Sequence, residues 1–119
     1  MNTVDGMRAL VRERRHVHQQ KVRDELLRLV DAAIELGVEQ VILFGSAARD
    51  QVGLTSDLDL LVVWDTALPF LERTATLYRA LQPKVAVDLV VYTPAEMKQM
   101  ADRPFVRRIV REGRVLYAA

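Results

Sequence analysis

Two short apolar segments enclose a Gly-Ser pair and two alternate carboxylates. The segment 41–44 leads into Gly45-Ser46, and ten residues later Asp57-Leu58-Asp59 opens the second apolar segment. Alternate residues of a strand point to the same face, so Asp57 and Asp59 stand side by side, roughly 6.5 Å apart at about 3.3 Å per residue. Their repulsion would be offset by a divalent cation such as Mg²⁺, which takes oxygen ligands and keeps waters and substrate phosphate as the rest.

The Gly-Ser pair predicts a phosphate-binding turn. Gly45 permits a tight turn and a close approach of phosphate. Ser46 offers a hydroxyl and is predicted to cap a short helix over 47–50, whose first N–H groups would face an anion. Gly45 follows the end of its strand and Asp57 lies at the start of the next. Both can line one site only if the two strands are antiparallel.

The spacing of these residues resembles a known family. The pattern G-S-x10-D-x-D, with Ser56 before the first Asp and apolar residues after the second, is similar to the minimal nucleotidyltransferase (MNT) family of the DNA polymerase beta-like nucleotidyltransferase superfamily. The motif covers residues 41–63, and a third carboxylate extends the resemblance to about residue 92. Family members often have a small or basic run after the serine that ends in Gly. Arg49 fits that run, but Asp50 replaces the Gly and adds a negative charge near the expected phosphate.

Asp88 is the candidate third carboxylate. It interrupts an apolar run over 85–92 that predicts a strand. Burying an unpaired charge costs several kcal/mol at least, so Asp88 needs a partner or a metal. The strand–helix–strand unit 58–91 favours a right-handed crossover and parallel pairing, which would bring Asp88 beside Asp59. Taken alone, a structural role in which Asp88 accepts hydrogen bonds or pairs with an Arg is equally open. The neighbouring motif favours a metal ligand, and the resemblance agrees.

The resemblance implies a nucleotidyl transfer that uses two Mg²⁺ ions and ATP as the donor. It places Gly45 and Ser46 at the β- and γ-phosphates, and Asp88 at the metal nearest the attacking hydroxyl. The implied site consists of three catalytic and metal-binding carboxylates, Asp57, Asp59 and Asp88, and four nucleotide-binding residues, Gly45, Ser46, Arg49 and Ser56.

The resemblance also implies a partner. In the family the usual partner is a small all-helical HEPN protein, and the pair often acts as a toxin and its antitoxin, the MNT protein adding AMP to a HEPN tyrosine. One alternative is an MNT-fold antitoxin that neutralises its partner by contact, without catalysis. The other is a nucleic-acid adaptor, because residues 7–28 carry seven basic and three acidic side chains and residues 98–114 carry six and two. Binding of nucleic acid by these basic ends would depend strongly on salt. A homo- or hetero-oligomer is open.

The whole chain predicts a single α/β domain: an N-terminal helical segment over 1–37, a catalytic core over 38–92, and C-terminal helices with an edge strand over 93–119. We expect a small, mixed, twisted sheet of three or four strands with helices packed on one side. Helices are predicted over 4–36, 69–81, 94–101 and 104–112. Their predicted inward-facing residues include Leu71, Ala75, Leu77, Tyr78 and Leu81 in the second of these, and Phe105, Ile109 and Val110 in the last.

The remaining features predict no further site. There is no run of 18 apolar residues, no visible secretory signal and no cysteine, so a cytoplasmic protein without a membrane role is the expectation. His16 and His18 are two residues apart, which points them to different faces of a helix, and a solvated polar face is favoured over a metal site.

Overall fold

The computed structural model describes residues 3–49 and 57–119, and it has nine elements in that part of the chain. The helices are α1 (Thr3–Glu35), α2 (Gly45–Ala48), α3 (Phe70–Leu81), α4 (Pro94–Gln99) and α5 (Pro104–Glu112). The strands are β1 (Gln40–Phe44), β2 (Leu58–Val63), β3 (Val87–Tyr92) and β4 (Arg114–Ala118).

The strands form one mixed sheet in the order β3-β2-β1-β4. β1 pairs with β2 and with β4 antiparallel, whereas β2 pairs with β3 parallel across the α3 crossover. The predicted fold class is therefore confirmed, including the antiparallel pair around the Gly-Ser turn and the parallel pair that carries Asp59 and Asp88. β3 and β4 are the two edges of the sheet.

Both faces of the sheet carry helices. Alternate strand residues such as Leu60 and Val62 join α1, α2 and α3 in the larger apolar cluster. The residues between them, Leu61 and Val63, join Ile109 of α5 in a smaller cluster with Met97 of α4 packed against it. The expectation that the helices pack on one side is corrected in this respect. The physical reason is that β1 and β2 are central strands with apolar residues on both faces, and each face has to be covered.

α1 is one helix of 33 residues, and only its C-terminal half packs on the sheet. Val22, Leu29 and Ala33 are buried in the larger cluster. Residues 7–17 are exposed on every side, so the N-terminal half projects into solvent. The long axis of the molecule is accordingly 61 Å, against 29 and 23 Å for the other two.

Glu25 fixes the packed half of α1 to the turn between α3 and β3. The buried Glu25 carboxylate accepts hydrogen bonds from the Arg28 guanidinium and from the backbone N–H of Lys84, and Arg28 also donates to the carbonyl of Gln82. The Arg28 hydrogen bonds, and then the Lys84 N–H, hold the pKa of Glu25 below its usual value against the opposing effect of burial. A short network of charged hydrogen bonds therefore ties α1 to this turn.

The predicted inner face of α3 is partly wrong. Leu77 and Leu81 are buried and Tyr78 packs against the larger cluster, but Leu71 is 80 % exposed and Ala75 is exposed. Arg73 is buried in their place. Its guanidinium donates to the carbonyls of Leu68 and Val91 and to the Glu96 carboxylate. A buried charge is tolerated there because the guanidinium donates to two backbone carbonyls and is paired with a carboxylate.

The predicted inner face of α5 also needs correction. Ile109 is buried as expected, but Val110 is 61 % exposed and Phe105 is 49 % exposed with its ring edge-on to Phe44. Val106 is buried instead. The inward face of α5 therefore runs through Val106 and Ile109.

The Thr-Pro-Ala-Glu sequence at 93–96 is typical of a helix start, and the structure shows a capping box there. The Thr93 side chain accepts from the Glu96 N–H, and the Glu96 carboxylate accepts from the Thr93 N–H. The same carboxylate forms an ion pair with Arg73, so one side chain both caps α4 and compensates the buried guanidinium of α3.

Within the described part of the chain, no helix is long and apolar enough to cross a membrane.

Candidate functional site

Three chain segments converge at one end of the sheet. Phe44, the last residue of β1, pairs with Asp59 of β2, and Asp59 pairs with Asp88 of β3. Gly45 follows Phe44 directly, and Asp57 precedes β2. The strand pairing alone therefore brings the Gly-Ser turn and the three predicted carboxylates to the same edge of the structure.

The carboxylates differ in burial. Asp59 is half-buried on the face that carries Leu61 and Val63, while Asp57 and Asp88 are exposed. The expectation that Asp88 is a buried charge is wrong, because β3 is an edge strand and this face of it is open. Within residues 3–49 and 57–119, no salt bridge joins Asp88 to a basic side chain. The structural alternative, in which a basic partner compensates Asp88, requires Asp88 to be buried, and here it is exposed.

The crowding of the carboxylates affects the pKa of Asp59. Partial burial raises the pKa of Asp59, the negative charges of Asp88 and Asp57 raise it further, and a hydrogen bond between the Asp59 and Asp88 carboxyl groups adds to the effect. Each of these causes disfavours the ionised form. A cation at this position would reverse the two charge contributions.

Gly45 is in direct contact with Asp59. Its backbone has φ +72°, in the left-handed region that glycine adopts readily, and a Cβ built on it would lie 2.3 Å from Oδ2 of Asp59. No side chain fits between the turn and the carboxylate. The glycine is needed twice, for its backbone conformation and for the room that it leaves.

The other predicted nucleotide-binding residues have varied outcomes. Ser46 is half-buried within α2, and its predicted capping role is wrong: the helix begins at Gly45, Phe44 holds the cap position, and the cap has no side-chain hydrogen bond. Arg49 ends α2 and is exposed. Ser56 and Asp50 lie outside the described residues.

The donor set fits magnesium chemically. The side chains in the cluster offer carboxylate oxygens, the ligands that Mg²⁺ takes from proteins. Among the residues that the structure describes, no group of three His, Cys, Asp or Glu side chains is arranged to hold an ion by itself. Mg²⁺ usually binds through one or two carboxylates and completes its octahedron with water and substrate phosphate. The paired Asp59 and Asp88 are suited to that mode, with Asp57 beside them.

A cavity beside Gly45 was not anticipated from the sequence. It has a volume of about 240 Å³ and lies between the end of β1 and α5. Arg108 and Glu112, one helical turn apart on α5, form an ion pair of 3.1 Å at its edge. The spacing of the two residues predicts such a pair, but nothing in the sequence places the pair beside Gly45. The lining residues are Phe44, Gly45, Arg49, Phe105, Arg108, Ile109 and Glu112.

Comparison with known proteins identifies the family. The sequence profile described as "Nucleotidyltransferase domain" matches residues 13–117, nearly the whole chain. The chain belongs to the nucleotidyltransferase domain family. It is similar to "Putative protein adenylyltransferase MJ0604" of Methanocaldococcus jannaschii, with 27 % identity over 101 residues that cover 85 % of this chain and 100 % of the relative.

A solved structure agrees with the fold of this nucleotidyltransferase domain. A crystal structure of a "putative nucleotidyltransferase" from Sulfolobus solfataricus matches with a TM-score of 0.61 and 22 % identity, covering 85 % of this chain and 84 % of that one. A second structure, described as a toxin-antitoxin with AMP-PNP, has a TM-score of 0.49 and 23 % identity, covering 81 % and 73 %. At that TM-score the second structure supports no inference about ligands or partners of this chain.

Proposed function

We propose that this nucleotidyltransferase transfers AMP from ATP to a hydroxyl group of a partner protein, with Mg²⁺ bound by Asp57, Asp59 and Asp88. The observation that carries the proposal is the register of the sheet, which sets Asp59 between Asp88 and the Gly45 turn. Crowded carboxylates beside a glycine turn suit an anionic ligand that binds through cations, such as a nucleoside triphosphate with Mg²⁺.

The residues of the chain divide the work by position. Gly45 lets the triphosphate approach the backbone, and Ser46, with Arg49 and Ser56, would contact its β- and γ-phosphates. Asp57 and Asp59 would hold the Mg²⁺ ions together with Asp88, which would bind the ion nearest the acceptor hydroxyl. Bound Mg²⁺ supplies neutralising charge for the triphosphate and for the leaving pyrophosphate.

Asp88 would orient the acceptor. The acceptor hydroxyl oxygen attacks the α-phosphorus, the bond from that phosphorus to the bridging oxygen of the β-phosphate breaks, and pyrophosphate leaves with the electron pair. The hydroxyl proton passes to the Asp88 carboxylate and from there to water. Asp88 is exposed, so a hydroxyl group from another molecule can reach it without any opening of the fold.

The protein acceptor rests on two supports. The relative from M. jannaschii is named as a protein adenylyltransferase, and its whole length aligns with this chain. The resemblance of the G-S-x10-D-x-D motif to the MNT family implies a small all-helical HEPN protein as the acceptor and the partner of a toxin–antitoxin pair, with a tyrosine as the modified residue.

Thermal melts test the nucleotide site. ATP with Mg²⁺ should raise the melting temperature, because a ligand that binds only the folded state stabilises it, whereas ATP with EDTA should have little effect. Asp59→Asn should remove the Mg-ATP effect. Asp65→Asn is the matched control, since Asp65 is an exposed aspartate just beyond the other end of β2. Equal stabilisation by ATP with and without Mg²⁺ would refute the site.

Mass spectrometry tests the transfer. After incubation with a HEPN partner, ATP and Mg²⁺, the partner should gain the mass of one AMP group. A stable complex that forms without any adduct would instead support the antitoxin that acts by contact alone.

A further inference from the structure

The cavity between β1 and α5 adjoins the carboxylate cluster directly. Gly45 forms part of its wall and is also in direct contact with the Asp59 carboxylate. Phe44, which lines the cavity too, pairs with Asp59 across the strands, so the cavity and the carboxylate cluster are neighbours. A ligand bound at the carboxylates can therefore extend past Gly45 into this cavity.

The size of the cavity suits part of a nucleotide. At about 240 Å³ it is below the roughly 300 Å³ at which sites for drug-sized ligands begin. A whole nucleoside triphosphate does not fit, but one end of it does. The end in question is either the base or the terminal phosphates.

The charges at the edge of the cavity favour an anion. Arg108 pairs with Glu112 at 3.1 Å, and Arg111 approaches the other oxygen of Glu112 at 3.6 Å. The hydrogen bond from Arg108 holds the pKa of Glu112 below its usual value, with smaller contributions from the charges of Arg111 and Arg49. The charged residues that line the cavity are Arg49, Arg108 and Glu112, so its lining carries one more positive than negative charge.

We propose that Arg108 and Arg49 bind the terminal phosphates of the nucleotide in this cavity. Without nucleotide, the Glu112 carboxylate pairs with Arg108, and the phosphate displaces that carboxylate when it binds. This inference rests on the proposed function and extends its site to α5. A guanidinium binds phosphate through paired N–H groups with fixed geometry, and exchange of one oxyanion for another costs it little. Arg108 is 65 % exposed on its side chain, so the exchange needs no rearrangement of the core.

The base is the less suitable occupant. An uncharged base would cover the guanidinium groups without offering an anion in return, and desolvating a charge without compensation is unfavourable. Phe44 and Phe105 do line the cavity, but their rings contact each other edge to face at 5.9 Å.

The experiment measures the dissociation constants of inorganic tripolyphosphate, ATP and adenosine in the presence of Mg²⁺. Arg108→Ala should weaken tripolyphosphate and ATP by a similar factor, roughly tenfold for one charged hydrogen-bonding group at an open site. Arg108→Lys should restore part of the affinity. Glu112→Gln should tighten both ligands, because it removes the competing anion. Arg107→Ala, an exposed arginine on the same helix that does not line the cavity, is the control and should bind as the wild type does.

A purely structural ion pair would not make Arg108→Ala weaken tripolyphosphate binding while Glu112→Gln tightens it. If Arg108→Ala and Glu112→Gln both leave tripolyphosphate binding unchanged, the inference is overturned. A loss confined to ATP and adenosine would assign the cavity to the base and overturn it as well. Failure of the proposed function is distinct, because the wild type would then transfer no AMP to the partner, or Asp59→Asn would transfer as much as the wild type, whatever Arg108→Ala does to tripolyphosphate binding.

Discussion

Replacing Gly45 by alanine is expected to separate the strain of the backbone from the geometry of the site. A non-glycine residue in the left-handed region costs about 1–2 kcal/mol. At Gly45 the new methyl group also meets Oδ2 of Asp59 at 2.3 Å, so the carboxylate has to turn away. Displacing a side chain by some 30° from its rotamer costs about 0.5–1.5 kcal/mol. Gly45→Ala should therefore lower the free energy of unfolding by roughly 1.5–3.5 kcal/mol and abolish binding of Mg-ATP.

Gly37 provides a matched control. Its φ is +86°, also left-handed, but a Cβ there has nothing within 4 Å. Gly37→Ala should lower the free energy of unfolding only by the cost of the left-handed backbone conformation, and it should leave Mg-ATP binding intact. Urea melts in EDTA give the free energies of unfolding, and calorimetric titration gives the affinities. The effect that alanine has on the unfolded chain is common to both variants and cancels in their difference.

A double-mutant cycle measures the contact itself. In an Asp59→Ala background the nearest remaining atom is the Cβ of residue 59, at 3.5 Å, an ordinary contact distance. Gly45→Ala should then cost no more than Gly37→Ala does. If the cost of Gly45→Ala is the same with and without the Asp59 carboxylate, and the single variant binds Mg-ATP normally, the proposed role of the contact is refuted.

Three further outcomes are expected. Asp88→Asn should leave the metal-free protein as stable as before or slightly more so, because it removes a repulsion at an exposed position, yet it should abolish stabilisation by Mg-ATP. The pKa of Asp59 is raised in the folded protein. Its contribution to stability is therefore fully present below the ordinary pKa of 3.8 and is lost as pH rises through the folded pKa. Melts in EDTA across this range should show the decline for the wild type but not for Asp59→Asn. Glu25 has a lowered pKa, so its contribution is present above 4.5 and is lost as pH falls through the folded pKa; Glu25→Gln should destabilise by about 1–3 kcal/mol at neutral pH.

Each of these outcomes has its own check. For Glu25→Gln the control is Asp24→Asn, because Asp24 is exposed and accepts one exposed hydrogen bond from Gln20. A large loss of stability in Asp88→Asn with nucleotide binding retained would exclude Asp88 from the site. A pH profile in EDTA that is identical for Asp59→Asn and the wild type would show that the crowding of the carboxylates does not affect stability.

The sequence predicted the elements that carry the site because local rules determine them. Strand alternation puts Asp57 and Asp59 on one face, and a strand–helix–strand unit favours parallel pairing of β2 with β3, which is the pairing that sets Asp88 opposite Asp59. The capping box at Thr93 and Glu96 is equally local, since both partners lie within one turn.

Long-range partners were the part that could not be predicted. The burial of Arg73 depends on Glu96, 23 residues further along, and helical periodicity alone assigned that face to Leu71 and Ala75. The cavity beside Gly45 arises in the same way, because it exists only where α5 passes the end of β1. Helical spacing shows which residues share a face, but the neighbouring surfaces decide which face turns inward.

The projecting half of α1 implies two regimes of stability within one helix. Isolated helices shorter than about 12–15 residues are marginal in water, because the first turn is costly to form. Here the packed turns around Val22 and Leu29 serve as the nucleus, and each residue towards the N-terminus only extends it. Amide protons should accordingly exchange at rates that increase gradually from Val22 towards Met7, while those between Leu29 and Ala33 exchange only through larger openings of the fold. The temperature at which α1 melts would then be a property of each turn rather than of the helix.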